Sequence, residues 1–277
     1  PPRRWRGTSR RPARCACPAA RGAPGRCRRS PTRPRDRRCA SRSSRGRSSV
    51  HDRPWWHGRM IPMQLGLSAD QVLTTTRSVR KRLDFERPVE RRVVEECLEI
   101  ALQAPTGSNS QGWHFVIVED AAKKKLIADV YKANFAQYAS MPGRKFEEGD
   151  VRGERMPLVR DSAWYLAEHF HRAPLLMIPC IDGRLDGLPS FAAASIWGSL
   201  LPAVWSFMLA LRERGMGSAW TTIHLMNEGE RTVADALGIP FDKVTQGGLF
   251  PIAHTVGTDF KPAKRLGLDK VMHWDRW

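Results

Sequence analysis

Residues 104–118 place a helix stop, a small polar loop and an apolar strand in direct succession. Because proline cannot continue a helical hydrogen-bond ladder and restricts the residue before it, Pro105 predicts the end of a helix. Residues 106–111 are small and rich in hydroxyl and amide groups, so they predict a loop that exposes backbone N–H groups. Residues 113–118 are β-formers and predict a buried strand. This order favours the close approach of a flat ligand with polar edges, and an ordinary surface turn is the alternative.

Nearly all of the net charge of +18 lies in the first sixty residues, which contain 19 arginines, no lysine and two acidic residues. They also lack Leu, Ile and Phe, so they cannot bury enough apolar area to offset the entropy of ordering. We expect residues 1–59 to form a disordered arm. It could be a nucleic-acid or membrane tether, a targeting presequence, or a stretch outside the native coding sequence. Arginine without lysine favours the last interpretation, with Met60 or Met63 as the native start.

Residues 60–277 are predicted to form one domain, because about 200 residues can enclose a sizeable core. This body has a net charge of +1 and only two cysteines, Cys97 and Cys180. Two cysteines are too few for a disulfide framework, so we expect a reducing compartment and a cytoplasmic location. No metal site is predicted, since His169 and His171 would point to nearly opposite faces of one helix.

Hydrophobic periodicity gives the predicted elements of the body. Helices are predicted over residues 68–82, 88–103, 121–138, 162–171, 192–211 and 227–237. Strands or extended segments are predicted over residues 113–118, 175–181, 218–223 and 247–256. Residues 139–160 lose all periodicity, which is typical of a long loop or lid.

Two prolines modify this scheme. Pro202 lies inside the uncharged run 192–211 and predicts a kink or a division of that helix. The run is long enough to span a bilayer, but its serines, glycine and proline favour a buried helix or a subunit interface. Pro251 predicts that the last strand lies near a sheet edge.

Arg77, Ser78 and Arg80 form a compact set of anion-binding groups, with two guanidinium groups and a hydroxyl within four residues. Charge-assisted hydrogen bonds from such groups suit a phosphate or an electron-rich ring edge. The alternative is a solvated basic face that continues through Lys81 and Arg82.

Taken in order, these motifs resemble those of the nitroreductase family. The resemblance rests on Arg77-Ser-Val-Arg80, the loop Ala-Pro-Thr-Gly-Ser-Asn-Ser-Gln-Gly-Trp at 104–113, Gly-Met-Gly-Ser-Ala-Trp at 215–220, Leu-Gly-Ile-Pro at 237–240, and Lys264-Arg265. It implies an α+β fold, with a mixed sheet flanked by helices, and an intertwined homodimer. FMN would be the cofactor, and NADH or NADPH the electron donor.

The resemblance also implies roles for individual residues. Arg77 and Ser78 would hold the FMN phosphate together with Lys264 and Arg265, and Arg80 would lie beside the N1/O2 edge of the flavin. Backbone donors near flavin N5 would come from Trp220, Thr221 and Thr222. The ring and ribityl chain would be lined from the other subunit by Pro105, Thr106, Gly107, Ser108 and Asn109.

The implied reaction passes hydride from NAD(P)H through flavin N5 to an electron-poor acceptor, such as a nitroaromatic compound or a quinone, in a ping-pong cycle. The cofactor carries this chemistry, and no catalytic side chain is required. One alternative is specialised flavin chemistry in the same family, such as reductive dehalogenation or flavin breakdown. Another is a basic-armed binder of nucleic acid or membrane surfaces, which only residues 1–59 support. We expect neither nucleic acid nor membrane as a partner of the body.

Overall fold

The computed structural model describes residues 64–277, so the predictions for the arm at residues 1–59 lie outside the described residues. The α-helices are α1 (Ala69–Thr75), α2 (Arg91–Ala101), α3 (Ala121–Ser140), α4 (Val151–His169), α5 (Ser190–Glu213) and α6 (Gly229–Leu237). The strands are β1 (Leu83–Asp84), β2 (Trp113–Val118), β3 (Leu175–Asp182), β4 (Met216–Gly217), β5 (Val244–Gln246) and β6 (Phe250–Thr255).

The six strands form one sheet with the order β1-β6-β3-β2, to which β4 adds on β6 and β5 adds on β3. The longest pairing joins β2 to β3, from Trp113 opposite Ile181 to Val118 opposite Leu176. The pairs between these strands are antiparallel, and a parallel bridge joins Ser78 to Ser218. The α+β fold predicted from the sequence is confirmed.

Helices cover both faces of β3, the central strand, which explains its uninterrupted apolar sequence. Leu175 and Met177 pack in a cluster with residues of α2 and α5. Leu176 and Ile178 belong to a second cluster, with residues of α3, α4 and α6. Because successive side chains of a strand point to opposite faces, this alternation builds a core on each side of the sheet.

The apolar run predicted as a helix is α5, which continues unbroken through Pro202. It packs mainly against α2 and also against β3. By length and composition, α5 alone among the helices of residues 64–277 could cross a membrane, but its contacts are those of a core helix. It ends before Gly215, which has a φ of 65° that suits glycine.

The first helix is shorter than predicted, because α1 ends at Thr75 and not at Arg82. Its start agrees with the prediction, since Ser68 and Gln71 form a capping box. At the other end, Thr76 is extended, and its hydroxyl donates to the Val72 carbonyl at 2.7 Å. Threonines bond readily to nearby carbonyls and favour helix ends, so the residues after Thr76 are free to run beside the sheet.

The prediction of a loop over residues 139–160 is wrong in its second half. There, α4 begins at Val151, and the Asp150 carboxylate caps it by accepting from the Arg152 N–H. Only Leu166 and Ala167 of this helix are buried. A helix that buries so few residues has no apolar stripe, and periodicity could not reveal it.

The edge position predicted from Pro251 is also wrong. β6 lies inside the sheet, with β3 paired to its first half and β1 and β4 paired to its second half. Pro251 lies opposite Leu176 of β3, whereas pairing with β4 starts at Ala253. On the side opposite β3, Thr221 pairs with Leu249 and β4 pairs with residues 253 and 254, so the N–H that Pro251 lacks falls in the gap between these two pairings.

Candidate active site

The segment that follows α1 runs alongside the turn after β4. The Val79 N–H donates to the Ser218 carbonyl at 2.8 Å, and Ser78 forms the parallel bridge with the same residue. Val79 is buried in the core, whereas Ser78 is exposed and Arg80 is half-buried. Extended backbone alternates its side chains, so Ser78 and Arg80 both point away from the core.

Arg80 lines a cavity of about 310 Å³ together with Trp220, Thr221 and Thr222. The structure thus brings together two segments that the sequence placed in one site. The rest of the wall comes mainly from α3 and α4 and is mostly aromatic or aliphatic: Tyr131, Phe135, Tyr138, Val159, Ala163 and Leu166, with Ala219 and Ile223.

Burial governs the protonation of the polar groups in this cavity. Loss of solvent lowers the pKa of Arg80 from its usual value, and the nearby Tyr131 opposes that shift. Burial also raises the pKa of Tyr131, which is 3 % exposed, above its usual 10.0. An arginine keeps its charge at neutral pH even so, and the phenol stays protonated. The cavity therefore combines one cation with neutral hydroxyl groups.

A cluster of arginines lies around Arg77, three residues before Arg80. The Arg77 Nη1 donates to the Lys261 carbonyl at 3.2 Å, which joins the start of the body to the segment after β6. Burial lowers the pKa of Arg77, and the positive charges of Arg265 and Arg155 lower it further. Lys264 is exposed, and its carbonyl accepts from the Arg265 Nη1 at 3.4 Å. Arg77 and Arg265 are thus close enough to interact, as a shared anion would require.

The loop after α2 docks on α5. The Gly107 N–H donates to the Ser199 hydroxyl at 2.9 Å, and a Cβ at Gly107 would lie 2.5 Å from the Ser195 hydroxyl oxygen. Ser108 and Asn109 have positive φ values of 52° and 53°. Positive φ is uncommon for residues other than glycine and often marks functional loops.

Within one chain, this loop does not join the cavity. Pro105 is exposed, and the Thr106 hydroxyl accepts from the Gln111 N–H at 3.2 Å inside the loop itself. None of residues 105–109 is among the residues that line the Arg80 cavity. The two halves of the predicted site therefore lie apart in a single chain.

The structure adds two groups to the site that no sequence motif indicated, Tyr131 and Arg155. Tyr131 belongs to the apolar face of α3, and nothing in a helical stripe separates a core tyrosine from one that lines a cavity. Arg155 lies on α4, which the sequence analysis interpreted as part of a loop.

Neither cysteine of the described chain provides reactive chemistry. Burial raises the pKa of both Cys97 and Cys180 to about 12, so both thiols stay protonated and unreactive at neutral pH. His224, which directly follows the 220–223 segment in the chain, is fully buried, and burial lowers its pKa to about 4. The residues that line the Arg80 cavity include no histidine and no carboxylate.

Comparison with known proteins agrees with this architecture. The chain is 29% identical over 158 residues to the 5,6-dimethylbenzimidazole synthase of Rhodospirillum rubrum. The aligned residues cover 55% of this chain and 67% of that protein. It is 28% identical over 164 residues to the iodotyrosine deiodinase of Thermotoga neapolitana, covering 58% and 77%. Among solved structures, the FMN- and NADPH-dependent nitroreductase NfnB from Sphigopyxis sp. strain HMH is 26% identical, with a TM-score of 0.54 over 76% of this chain and 100% of that chain. The sequence model of the nitroreductase family matches residues 73–254, so the chain belongs to that family of oxidoreductases.

Proposed function

We propose that the chain is an FMN-dependent enzyme that takes hydride from NADH or NADPH and reduces an electron-poor small molecule, such as a nitroaromatic compound or a quinone. The observation that carries this proposal is the cavity that Arg80 shares with Trp220, Thr221 and Thr222. A half-buried guanidinium beside apolar walls suits the polar edge of a flat ring better than it suits a simple surface anion.

The residues present fit FMN. Its phosphate is an anion, and Arg77 lies close enough to Arg155 and Arg265 for their charges to depress its pKa. Like charges so close favour an anion between them. The Ser218 hydroxyl, beside Arg77 in a small cavity, is buried without a hydrogen-bond partner and could donate to the same region.

Bound FMN would supply the ring that accepts hydride from the nicotinamide and gives the electrons to the acceptor. Arg80 would favour negative charge at the edge of that ring, because a cation in a site shielded from water stabilises charge more strongly than one in solvent. Aromatic side chains, among them Phe135, Tyr138 and Trp220, would exclude water and offer flat surfaces to a planar acceptor. Since the cavity contains no histidine and no carboxylate, no acid–base side chain is assigned a role.

A second copy of the chain would complete the site. Ser108 and Asn109 hold strained backbone in a loop that leaves the Arg80 cavity of its own chain untouched. We assign residues 105–109 to the flavin of the partner subunit in a homodimer. The exposed apolar side chains of α5, Phe191 and Trp205, support such an interface.

The absorbance spectrum of the purified protein tests this proposal directly. We expect flavin bands, or their appearance after incubation with FMN, followed by oxidation of NADH or NADPH when a nitroaromatic compound or a quinone is added. Titration with each nicotinamide separately identifies the donor. A protein that stays colourless after incubation with FMN would falsify the proposal.

Specialised flavin chemistry is the second candidate, and the similarity to iodotyrosine deiodinase and to 5,6-dimethylbenzimidazole synthase favours it. Iodide release from 3-iodo-L-tyrosine by the FMN-loaded, reduced protein tests the first of these activities. Iodide release without turnover of nitroaromatic compounds or quinones would replace our first assignment.

A further inference from the structure

Arginines from distant parts of the sequence hold the segment at residues 256–261, directly after β6. Arg82 donates from Nε to the Val256 carbonyl at 2.8 Å and from Nη2 to the Asp259 carboxylate at 2.6 Å. Arg212 donates from Nη2 to the Thr258 carbonyl at 3.0 Å. The bond from Arg77 to the Lys261 carbonyl adds a third guanidinium group to this segment.

Phe260 is the centre of this arrangement. The Arg82 guanidinium carbon lies 4.2 Å from the centroid of the Phe260 ring, and that of Arg212 lies 5.1 Å from it. Both distances are within the range of cation–π attraction, which strengthens when the cation is desolvated. Arg212 is only 5 % exposed, so the ring provides a buried charge with an electron-rich surface.

Arg212 also connects this segment to the start of the predicted phosphate site. Its Nε donates to the Thr75 hydroxyl at 3.1 Å, two residues before Arg77. One guanidinium group thus binds the end of α1, the Thr258 carbonyl and the Phe260 ring. The path of the chain from Phe260 towards Lys264 and Arg265 begins at this junction.

We propose that Phe260 is a positioning residue for the phosphate site, because its ring between Arg82 and Arg212 fixes the path of residues 256–261 and so brings Arg265 to Arg77. This inference rests on the proposed function, since it assigns the Arg77–Arg265 pair to the phosphate of FMN. Phe260 is not among the residues that line the Arg80 cavity, which we assign to the flavin ring.

Comparing FMN with riboflavin, which lacks the phosphate, tests the inference without relying on activity. The dissociation constants of both flavins are measured by fluorescence titration of the flavin-free full chain. For Phe260→Leu, which keeps an apolar side chain but removes the aromatic ring, we expect FMN to bind about tenfold more weakly, a change of about 1.4 kcal/mol. Riboflavin should bind as it does to the wild type, and Phe260→Tyr should restore FMN binding because it restores the ring.

Phe241 supplies a matched control. Its ring also lies near two guanidinium groups, those of Arg184 at 4.4 Å and Arg231 at 4.1 Å, away from the Arg77 cluster. Phe241→Leu should therefore leave the preference for FMN unchanged. If Phe260→Leu does not fold, Arg82→Gln removes one of the two cations from the ring and should produce the same selective loss.

The outcomes separate the two proposals. If the wild type prefers FMN and Phe260→Leu keeps that preference, or weakens both flavins equally, the positioning role of Phe260 is wrong while the phosphate site stands. If the wild type binds riboflavin as tightly as FMN, the phosphate site is wrong, and this inference is wrong with it.

Discussion

Arg77 and Arg80 are three residues apart, yet their surroundings predict different roles. Arg77 lies beside Arg265 and Arg155, whereas Arg80 lies in the aromatic cavity beside Tyr131. Arg77→Ala should weaken FMN binding by about 1.5–3 kcal/mol, since it removes a hydrogen bond to a charged group. Arg80→Ala should instead slow reduction of bound flavin by NAD(P)H about tenfold or more, because it removes charge stabilisation at the ring edge.

Stopped-flow reduction at measured FMN occupancy separates these two effects. Arg87→Ala, which removes an exposed arginine from the same region of the sequence, is the control and should change neither quantity. Equal effects of the Arg77 and Arg80 substitutions on both binding and reduction would contradict the division of roles.

His224 is fully buried, with its Nε2 at 3.2 Å from the Gln246 side-chain oxygen, and burial lowers its pKa from 6.5 to about 4. The folded state therefore binds fewer protons than the unfolded state between these values. The contribution of His224 to stability is complete above pH 6.5 and decreases as the pH falls towards 4, by about 3 kcal/mol in total.

Urea unfolding at about pH 7 and about pH 4 measures this loss. In His224→Gln the difference in unfolding free energy between the two pH values should shrink by about 3 kcal/mol. His273→Gln, which changes an exposed histidine, should behave as the wild type. An unchanged pH difference in His224→Gln would mean that this imidazole does not titrate as its burial requires.

At the scale of elements, the contact between α5 and the loop after α2 depends on Gly107. A methyl group there would meet the Ser195 hydroxyl oxygen at 2.5 Å, so Gly107→Ala should displace the loop and destabilise the protein by about 1–3 kcal/mol. Combining it with Ser195→Ala should recover most of that loss, because it removes the obstructing atom. Thermal unfolding of the single and double variants measures the coupling.

Gly198→Ala is the matched control, since it adds a methyl group to α5 where no atom lies within 4 Å. It should leave the melting temperature unchanged or raise it slightly. If the double variant were no more stable than Gly107→Ala, the clash with Ser195 would not be the cause.

The sequence predicted those elements that show a regular spacing of apolar residues or a local start or stop signal. The Asp120 cap of α3, the strands β2 and β3 and the stop at Gly215 follow from side-chain chemistry that needs no tertiary context, although only Val118 of β2 is buried. Tertiary context decided the remaining elements. α4 shows no stripe because it buries so little, and β6 accepts Pro251 inside the sheet because β1 and β4 pair with it only from Ala253 onwards.

The candidate site likewise has one part that local motifs indicated and another part that depends on tertiary packing. Local motifs indicated Arg77, Arg80 and the residues 220–222 as site candidates, and the structure places Arg80 beside the latter around one cavity. Tyr131 and Arg155 reach the site because α3 and α4 pack against the other elements of the body. No local spacing in the sequence encodes that packing. Phe260 lay outside every motif, because its role depends on two arginines that are 178 and 48 residues away in the sequence.

At the scale of the whole molecule, the proposed homodimer requires the exposed apolar surface of α5. Phe191 is 79 % exposed and shares α5 with the exposed Trp205, and a partner subunit packed on this helix would cover both side chains. Phe191→Glu should shift the protein from dimer to monomer and, since the partner's loop would be lost, weaken FMN retention as well. Light scattering coupled to size-exclusion chromatography, with the flavin absorbance recorded in parallel, measures both.

Phe191→Leu keeps an apolar side chain at the same position and should remain dimeric with its flavin bound. A wild type that is monomeric yet retains FMN would remove the need for a second copy. A monomeric Phe191→Glu variant with full FMN occupancy would show that each chain binds flavin alone.

The junction at Phe260 has a consequence for biosynthesis. It unites the end of α1 with a segment that is made after every strand of the sheet. Because a ribosome adds residues in order, the cations assigned to the phosphate cannot come together until Arg265 has emerged. We therefore expect the yellow colour of the proposed FMN complex to appear only after nearly the whole body has been translated, and a stalled nascent chain to remain without pigment.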